Sequence, residues 1–243
     1  MLQTNSFTVS VLLYGDFLWL AHRVLAPIRE AMRSIDLDLR IGCNSCGAAT
    51  IAFVEELRQD LARDGVDITV IKSNENIHKY PMMRWLKDIK PMRPLWMWFD
   101  DDSFIVPVNG DYSRVFYLAS TLLGTHDAVG QIWSYRLGGN QHLWVNRQKW
   151  CNKPIQPGKT VKFPQGAWWT VRSDVLSRFD WPSVELERKG GDVMFGELLS
   201  QNGLHVFDVG HRFDLVRINA DVDGKHSGMA TRGGRNPPPI GFL

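Results

Sequence analysis

The apolar positions in the first hundred residues predict strands that alternate with helices. Residues 7–15 are almost continuously apolar, as expected for a strand that is buried on both faces. Residues 17–35 then carry apolar side chains at the spacing of a helix. The alternation indicates βαβ units, and therefore an α/β fold with a mostly parallel central sheet flanked by helices. The same two patterns predict further strands at 37–44, 66–73 and 94–100 and helices at 48–65 and 80–89.

The pattern after residue 105 is less regular and predicts shorter elements. The last residues, 223–243, are rich in Gly and Pro without a period, which is typical of a mobile or ligand-ordered segment. Ser173 is expected to cap one of the helices in this half. No linker divides the chain, so residues 1–243 are expected to form one domain. The predicted helices are 111–124, 173–179 and 192–203, and the predicted strands are 127–136, 142–150, 161–171 and 204–210.

Composition and charge narrow the class of protein. Hydrophobic residues make up 44% of the 243 and charged residues 22%, as in ordinary globular proteins. The net charge of +2 gives no overall signal for nucleic-acid binding. Three cysteines leave one unpaired in any disulfide scheme, which favours a reducing compartment. Asp16 interrupts the first apolar run, so neither a signal peptide nor a membrane span is expected, and a cytoplasmic protein is predicted.

Three consecutive aspartates follow the fourth predicted strand, in the sequence WMWFDDDSFI (96–105). In an open parallel sheet, ligands bind beyond the carboxyl ends of the strands, and the triplet follows such an end. Carboxylate oxygens on a short loop suit a hard divalent cation, and Mg²⁺ is commonly held by one or two carboxylates together with substrate phosphates. The triplet therefore predicts a nucleotide diphosphate bridged by a metal ion, and the alternative is a solvated acidic turn.

The triplet also carries a family resemblance. WFDDDSFI (98–105) is similar to the metal-binding motif of the fringe-like and core-1 galactosyltransferase-like branch of GT-A nucleotide-sugar-dependent glycosyltransferases. FPQGAWWTVRSDVL (163–176) and KGGDVMFGELLSQNGLHVFDVG (189–210) resemble the same family in the same order. The resemblance covers residues 7–226. It implies a Rossmann-like GT-A domain in which 1–105 form the nucleotide-binding half, 106–220 the acceptor half and 221–243 a flexible C-terminal tail.

The resemblance implies a site for Mn²⁺ or Mg²⁺ next to a nucleotide-diphosphate-sugar donor. Asp100 and Asp102 would hold the metal, Asp102 most directly, and Asp100 or Asp101 would contact the ribose or the sugar. His226 in the tail would be a further metal ligand, since a neutral imidazole can complete an oxygen-rich site. A histidine in a Gly-rich tail can equally be a solvated side chain.

The resemblance assigns the general base to Asp192, which would take the proton from the acceptor hydroxyl. A carboxylate suits this role because it can lie within hydrogen-bond reach of that hydroxyl. The residue types alone also allow Asp192 to be the N-cap of its helix. The glutamate that often precedes this aspartate in the family is Gly191 here, so Glu197 stays an alternative base.

The remaining donor contacts are expected at the ends of the first two strands, at the third helix and in QGAWW (165–169). The glycine after the first strand would allow the nucleobase to approach the backbone closely. Trp168 and Trp169 would point to opposite faces of a strand, so one is expected in the core and the other at a pocket. Taken singly, each residue can also be an ordinary surface residue. The predicted donor residues outside the triplet are Tyr14, Gly15, Asp16, Asn44, Lys79, Arg84, Gly166 and Trp168.

The acceptor is predicted from the type of relative that the chain resembles, which is a soluble bacterial or bacteriophage transferase. One such acceptor is a hydroxymethylated base in phage DNA, and a phage-encoded enzyme would act on it in the host cytoplasm. The alternative acceptors are a carbohydrate or a protein. Basic residues interleaved with aromatic ones between Trp133 and Phe163 would track phosphates, or form a solvated loop. Displacement with inversion is expected and retention stays open. A nucleotidyltransferase and a non-catalytic nucleotide-sugar-binding module are the alternative functions, and the sequence does not predict an oligomeric state.

Overall fold

The computed structural model describes residues 6–187, 190–210 and 214–218. None of the helices in these ranges is long and apolar enough to cross a membrane. In chain order, the strands are β1 Ser6–Tyr14, β2 Asp36–Asn44, β3 Thr69–Ser73, β4 Leu95–Asp100, β5 Ser103–Ile105, β6 Ala128–Arg136, β7 Thr160–Arg172, β8 Val206–Asp208 and β9 Val216–Ile218. The helices are α1 Leu18–Ala31, α2 Ala48–Arg63, α3 Lys79–Asp88, α4 Arg114–Leu123, α5 Gln141–Asn146, α6 Ser173–Phe179 and α7 Gly191–Gln201.

Seven of the strands form one sheet in the order β3-β2-β1-β4-β7-β6-β8, and β5 pairs separately with β9. The strands β3, β2, β1 and β4 are parallel to one another, whereas β7 runs antiparallel to β4 and to β6. The predicted mostly parallel sheet, flanked by helices in a single α/β domain, is confirmed. Its parallel half brings the carboxyl ends of β1, β2 and β4 to the same edge, where the acidic triplet follows β4.

The side chains of β4 and β7 alternate between two buried layers on the two faces of the sheet. Trp96 and Trp98 pack with α3, α6 and α7, whereas Phe99 packs on the opposite face with α1, α2 and α4. Trp168 and Trp169 also go to opposite layers, as the strand period predicts, and both are buried. The Trp98 and Trp169 rings stack with centroids 6.1 Å apart. This aromatic packing fixes the end of β4 that leads into the triplet.

The strand predicted at 142–150 is wrong, because α5 occupies most of this segment. Leu143 to Val145 are three consecutive apolar residues, and such a short run does not distinguish a strand from a helix. Only Val145 among them is buried. The Gln141 side chain accepts a hydrogen bond of 2.7 Å from the Gly138 backbone N–H and so supports the first turn of α5.

Two smaller differences concern the ends of elements. Ser173 does not cap α6, because Arg172 holds the N-cap position and the Ser173 hydroxyl donates to the carbonyl oxygen of Arg93. The predicted strand at 204–210 is limited to β8. The pairing of β5 with β9 was not predicted, since it joins segments far apart in the sequence that have no period of their own.

Arg40 is a fully buried cation on β2 that anchors α3. Its guanidinium donates to the Asp38 carboxylate at 2.8 and 2.9 Å. It also donates to the carbonyl oxygens of Leu86 and Lys87, at the end of α3, and to that of Pro91 at 2.7 Å. The last carbonyl groups of a helix have no partner within the helix, so this one side chain satisfies two of them, at Leu86 and Lys87. The position of α3 relative to the sheet is thereby fixed.

Replacing Arg40 with Met should lower the free energy of unfolding by about 3–5 kcal/mol, because three carbonyl oxygens lose their charged donor and the buried Asp38 carboxylate is left with Lys90 as its cationic partner. Urea unfolding followed by circular dichroism measures this loss. The control is Arg33→Met, which removes an Arg side chain that is 75% exposed and paired with Glu30 on the surface. The control should change the free energy by less than about 0.5 kcal/mol. A loss for Arg40→Met no larger than that of the control would contradict the anchoring role.

Candidate functional site

The acidic triplet forms the turn between β4 and β5. Asp100 is the last residue of β4, and Asp101 and Asp102 connect it to Ser103, the first residue of β5. The Ser103 hydroxyl lies 2.9 Å from the Asp100 carbonyl oxygen and 2.7 Å from that of Ala167 on β7. The turn is therefore tied to the neighbouring strand, and the three carboxylates sit at the edge of the sheet where the strand pattern predicts a ligand.

Both oxygens of the Asp100 carboxylate accept hydrogen bonds. The Trp98 indole N–H donates to Oδ1 at 2.8 Å, and the Lys79 ammonium donates to Oδ2 at 2.9 Å. Burial raises the pKa of Asp100 to about 7, although the Lys79 ammonium opposes the shift. The indole and the ammonium therefore hold this carboxylate in one orientation.

Asp101 and Asp102 are buried, and they have different neighbours. Asp101 Oδ2 accepts a hydrogen bond of 3.2 Å from the Tyr14 backbone N–H, which links the triplet to the end of β1. Burial raises the pKa of Asp102 to about 6, again against the effect of the Lys79 ammonium. Asp102 therefore lies within the electrostatic reach of the same lysine as Asp100.

Lys79, the first residue of α3, is the cation at the centre of this group. Its Nζ donates to Asp100 Oδ2 at 2.9 Å and to the Gly166 carbonyl oxygen at 2.7 Å, and it lies 3.8 Å from Asp192 Oδ1. Although burial opposes the charged form, Asp100 and Asp192 raise the pKa of Lys79. The ammonium therefore stays charged and connects β4, β7 and α7 at one point.

Asp192 is the second residue of α7 and faces the triplet across Lys79. The Asp192 backbone N–H donates to the Tyr80 hydroxyl oxygen at 3.0 Å. Its Oδ1 is buried and accepts no hydrogen bond from the described residues. Gly190 holds the N-cap position of α7, and no side chain caps this helix, so the N-cap interpretation of Asp192 is wrong. A carboxylate oxygen without a hydrogen-bond donor is what a general base needs.

Two glycines allow Asp192 to approach its neighbours. A Cβ atom on Gly166 would lie 2.3 Å from Asp192 Oδ2 and 2.9 Å from Lys79 Nζ. A Cβ atom on Gly191 would lie 2.2 Å from the Tyr80 ring. Both distances are far below van der Waals contact, so any larger residue at 166 or 191 would push α7 away from β7 or α3. Gly166 is therefore close to Lys79 and Asp192, and its contact with the donor stays a prediction.

Glu197, the alternative base, lies in a different environment. It is fully buried, forms an ion pair with Lys159 and accepts a hydrogen bond of 2.9 Å from the Gln201 side-chain amide. Five residues of helix separate it from Asp192, a rotation of about 140° around the axis, so the two side chains leave α7 in different directions. The ion pair joins α7 to the turn before β7. This arrangement favours Asp192 over Glu197 as the candidate base.

Asn44 and Tyr14 hold the loop before α3 instead of standing open at the surface. The buried Asn44 donates to the Asn76 side-chain oxygen at 3.1 Å and accepts from the Ile77 backbone N–H at 2.9 Å. The Asn76 side-chain amide donates to the Tyr14 hydroxyl at 3.1 Å. The loop ends at His78, whose φ of 67° is unusual for a residue with a side chain. The network thus positions Lys79.

Gly15 and Asp16 connect the loops after β1 and β2. Gly15 has a φ of 65°, which a glycine adopts without strain, and its carbonyl oxygen accepts a hydrogen bond of 3.1 Å from the Gly47 N–H. A Cβ atom on Gly47 would lie 2.3 Å from Asp16 Oδ1. The two loops therefore touch beside the triplet, and Gly47 is part of the fit although the sequence did not single it out.

Arg84 and Trp168 have structural partners, and His226 lies outside the described residues. The Arg84 guanidinium donates to the carbonyl oxygens of Ser183 at 2.6 Å and Leu186 at 2.8 Å, so it braces the segment before α7. Trp168 is only 3% exposed and packs in the layer with α1 and α2. The structure therefore does not bring Arg84 to the triplet, and it buries the predicted pocket tryptophan.

The donor set is compatible with a divalent metal ion that a substrate completes. Within the described ranges, no three His, Cys, Asp or Glu side chains are grouped as a metal site. The Asp102 carboxylate is buried and that of Asp100 is 20% exposed, and repulsion between the two contributes to the raised pKa of Asp100. Two carboxylates plus phosphate oxygens are a common way to hold Mg²⁺. The residues present therefore fit such an ion only together with further ligands.

Comparisons with known proteins concern the fold. No family model matches the sequence, and no curated protein matches it. Among solved structures, the mannosyltransferase PcManGT from Pyrobaculum calidifontis, in complex with GDP-Man and Mn²⁺, is 16% identical with a TM-score of 0.58. TarS 1–349 from S. aureus is 12% identical with a TM-score of 0.55. The chain has the GT-A fold.

The coverage of these GT-A neighbours is uneven. The match covers 96% of this chain and 66% of the mannosyltransferase, and 85% of this chain and 58% of TarS 1–349. The chain therefore spans about two thirds or less of either glycosyltransferase structure. A 4-diphosphocytidyl-2C-methyl-D-erythritol synthase from Anaerococcus prevotii, 10% identical, is matched over 88% of this chain and 93% of its own at a TM-score of 0.50. Structural similarity at such low sequence identity establishes the fold alone, so the function has to be argued from the site.

Proposed function

We propose that the chain is a metal-dependent glycosyltransferase that moves a sugar from a nucleotide-diphosphate-sugar to an acceptor hydroxyl. The observation that carries this proposal is the placement of Asp192 opposite the acidic triplet, with Lys79 between them. One ammonium group lies 2.9 Å from Asp100 Oδ2 and 3.8 Å from Asp192 Oδ1. A transferase needs a donor site and a base for the acceptor within a few ångströms of each other, and this arrangement provides both.

The triplet is the proposed donor side of the site. Asp100 and Asp102, with His226 as a predicted further ligand, would hold Mn²⁺ or Mg²⁺, which when bound would neutralise charge on the leaving diphosphate. The Tyr14 backbone N–H, bonded to Asp101, keeps the end of β1 next to the triplet, where it would lie beside the donor. The GT-A neighbour solved in complex with GDP-Man and Mn²⁺ supports this class of donor and metal.

Asp192 is the proposed general base. Its buried Oδ1 accepts no hydrogen bond from the described residues and is therefore able to receive one from an acceptor hydroxyl. As the acceptor oxygen attacks the anomeric carbon, its proton would pass to this carboxylate. The bond to the diphosphate oxygen breaks, and the sugar is inverted. Inversion, the hexosyl or pentosyl nature of the sugar and the fringe-like type of the enzyme are parts of this proposal that need product analysis.

A donor screen tests the function directly. The purified chain is heated with Mn²⁺ and, in turn, with GDP-mannose and other guanosine, uridine and cytidine sugar nucleotides. At least one donor should raise the melting temperature in the presence of Mn²⁺ and lose the effect with a chelator, because a ligand that binds only the native state stabilises it. The same donor should be hydrolysed slowly without an acceptor. No stabilisation and no hydrolysis with any sugar nucleotide would contradict the proposal.

A nucleotidyltransferase is the second candidate, supported by the structural match to the diphosphocytidyl synthase. This class joins a nucleoside triphosphate to a phosphorylated acceptor and releases pyrophosphate. The glycosyltransferase proposal is preferred because Asp192 offers a base next to the triplet. Release of pyrophosphate from CTP or another triphosphate, with sugar nucleotides left intact, would favour the second candidate.

A hydroxymethylated DNA base remains a proposed acceptor, with carbohydrate and protein as alternatives. Five basic side chains in the predicted stretch are exposed: Arg136, Arg147, Lys149, Lys153 and Lys162. Lys159 instead pairs with the buried Glu197, so it is a poor position for testing DNA contacts. A base would have to leave the duplex to bring its hydroxyl to Asp192. The bacteriophage origin and the cytoplasmic location stay predictions.

Reversing two of these charges, Lys149→Glu with Lys153→Glu, should weaken salt-dependent retention on hydroxymethylated DNA. Each lost phosphate contact should reduce the slope of log affinity against log salt by about 1. The salt concentration at which each protein leaves a column of hydroxymethylated DNA measures this retention. Lys72→Glu, on the edge strand β3, is the charge-reversal control. Wild-type protein that passes the column unretained, or a double variant retained like the control, would exclude DNA in favour of the other acceptors.

A further inference from the structure

The Lys79 ammonium already has defined hydrogen-bond partners in the protein, so it is not an open cation that only a phosphate would bind. Its Nζ donates two short hydrogen bonds, to Asp100 Oδ2 at 2.9 Å and to the Gly166 carbonyl oxygen at 2.7 Å. It also lies 5.8 Å from the centroid of the Trp98 ring, within cation–π range. The side chain is 16% exposed. The ammonium therefore occupies a built pocket whose walls come from α3, β4 and β7.

Asp100 has no oxygen left without a donor. The Trp98 indole holds Oδ1 and Lys79 holds Oδ2. A divalent ion that binds Asp100 must share an oxygen with one of them. Trp98 is fully buried against Trp96 and Trp169 and cannot withdraw, whereas the lysine stem is flexible. An ion and an ammonium nitrogen on the same carboxylate oxygen would stand about 4 Å apart and repel strongly.

The Asp192 carboxylate offers the Lys79 ammonium a second position nearby. Asp192 Oδ1 lies 3.8 Å from Lys79 Nζ, is buried and accepts no hydrogen bond from the described residues. A small rotation of the lysine side chain would close this distance to a hydrogen bond while the bond to the Gly166 carbonyl oxygen is kept. The pocket therefore offers the ammonium two carboxylates, one on the metal side and one on the base side.

We infer that Lys79 is the resident cation of the metal-free site and that it exchanges with the divalent ion at Asp100. When the ion binds Asp100 and Asp102, the ammonium moves from Asp100 to Asp192. Metal loading would then fix the orientation of Asp192. Because a carboxylate oxygen has two lone pairs, Oδ1 can accept from the ammonium and still receive the hydrogen bond of the acceptor hydroxyl. This inference rests on the proposed function, because it takes Asp100 and Asp102 to be the metal ligands.

The affinity for Mn²⁺ tests the exchange. Free Mn²⁺ is counted by electron paramagnetic resonance in titrations of the full chain, once without nucleotide and once with saturating GDP, whose phosphate oxygens would complete the site, and the affinities are compared under whichever condition gives binding. Lys79→Gln, which removes the charge and keeps a donor for Gly166, should bind Mn²⁺ about tenfold more tightly than wild type, because the competing cation is gone. Lys79→Arg keeps the charge and should stay within about threefold of wild type. Lys72→Gln, an exposed lysine paired with Glu55, is the charge control and should also leave the affinity unchanged.

The outcomes separate this inference from the proposed function. An affinity for Lys79→Gln equal to or weaker than that of wild type, with Mn²⁺-dependent donor binding intact, overturns the exchange alone. If neither wild type nor variant binds Mn²⁺, with or without GDP, the cation exchange and the proposed metal-dependent function are both overturned. If the variant does not fold, wild-type crystals with Mn²⁺ and GDP decide. The distance from Lys79 Nζ to Asp100 Oδ2 should then lengthen beyond about 3.5 Å, the limit of a hydrogen bond, and an unchanged distance with the ion on Asp102 would reject the inference.

Discussion

Asp192→Asn is expected to lower the turnover number about 10²–10⁴-fold, the range typical of a lost general base. Asparagine has nearly the same size, and the hydrogen bond from the backbone N–H of residue 192 to Tyr80 does not depend on the side chain. Without metal, Lys79 keeps its bonds to Asp100 and Gly166, and with metal the asparagine side-chain oxygen can still accept a hydrogen bond from the Lys79 ammonium. The dissociation constant of the donor, measured by titration calorimetry with Mn²⁺, should therefore stay within about threefold of wild type. A loss of turnover with donor binding retained separates an enzyme from a non-catalytic nucleotide-sugar-binding module.

The control for this variant is Asp174→Asn, in the first turn of α6. Asp174 is a half-exposed aspartate paired with Arg172 on the surface, and its replacement should leave the turnover number unchanged. Turnover by Asp192→Asn within about tenfold of wild type would contradict the assignment of the base. If Glu197→Gln then lost turnover with donor binding retained, Glu197 would take the role in spite of its ion pair with Lys159.

Asp102→Asn is expected to weaken Mn²⁺-dependent donor binding at least about 100-fold, since a metal ion at a transferring diphosphate supplies several kcal/mol. The same change should leave the melting temperature of the metal-free protein unchanged or higher. Asp102 is buried, and a neutral amide removes the cost of burying a charge. Donor binding and metal-free stability should thus respond in opposite directions, which is characteristic of a residue kept for a ligand and not for the fold.

Calorimetry with and without Mn²⁺, and thermal unfolding in chelator, measure the two effects of Asp102→Asn. Asp88→Asn, on an exposed side chain at the end of α3, is the matched control and should change neither quantity. A lower melting temperature for Asp102→Asn with donor binding intact would mean that Asp102 stabilises the fold, and the metal-site assignment would be lost.

The parallel half of the sheet was predictable because its signals are local. The apolar run of β4 predicts the strand, and the three aspartates after it mark the point where it ends. The opposite directions of Trp168 and Trp169 follow from the period of any strand. Gly166 was predicted from a resemblance, and the structure adds the reason, since a Cβ atom there would collide with Asp192.

The remaining features depend on contacts between distant segments. Nothing near Lys79 in the sequence indicates that Asp100, Gly166 and Asp192 meet at its ammonium, because three different elements supply them. Arg84 has the same charge and lies on the same helix, yet it binds carbonyl oxygens before α7. The role of Asn76 is hidden for a similar reason, since its partners belong to β1 and β2.

The central claim is that the carboxylates after β4 hold a divalent cation against the diphosphate of a sugar nucleotide. Anomalous scattering from crystals soaked with Mn²⁺ and the donor identified by the screen tests it most directly. The account predicts one strong peak in contact with the Asp102 carboxylate and a diphosphate oxygen. A bound donor with no anomalous peak at Asp102, or a peak only at a distant site, would contradict it.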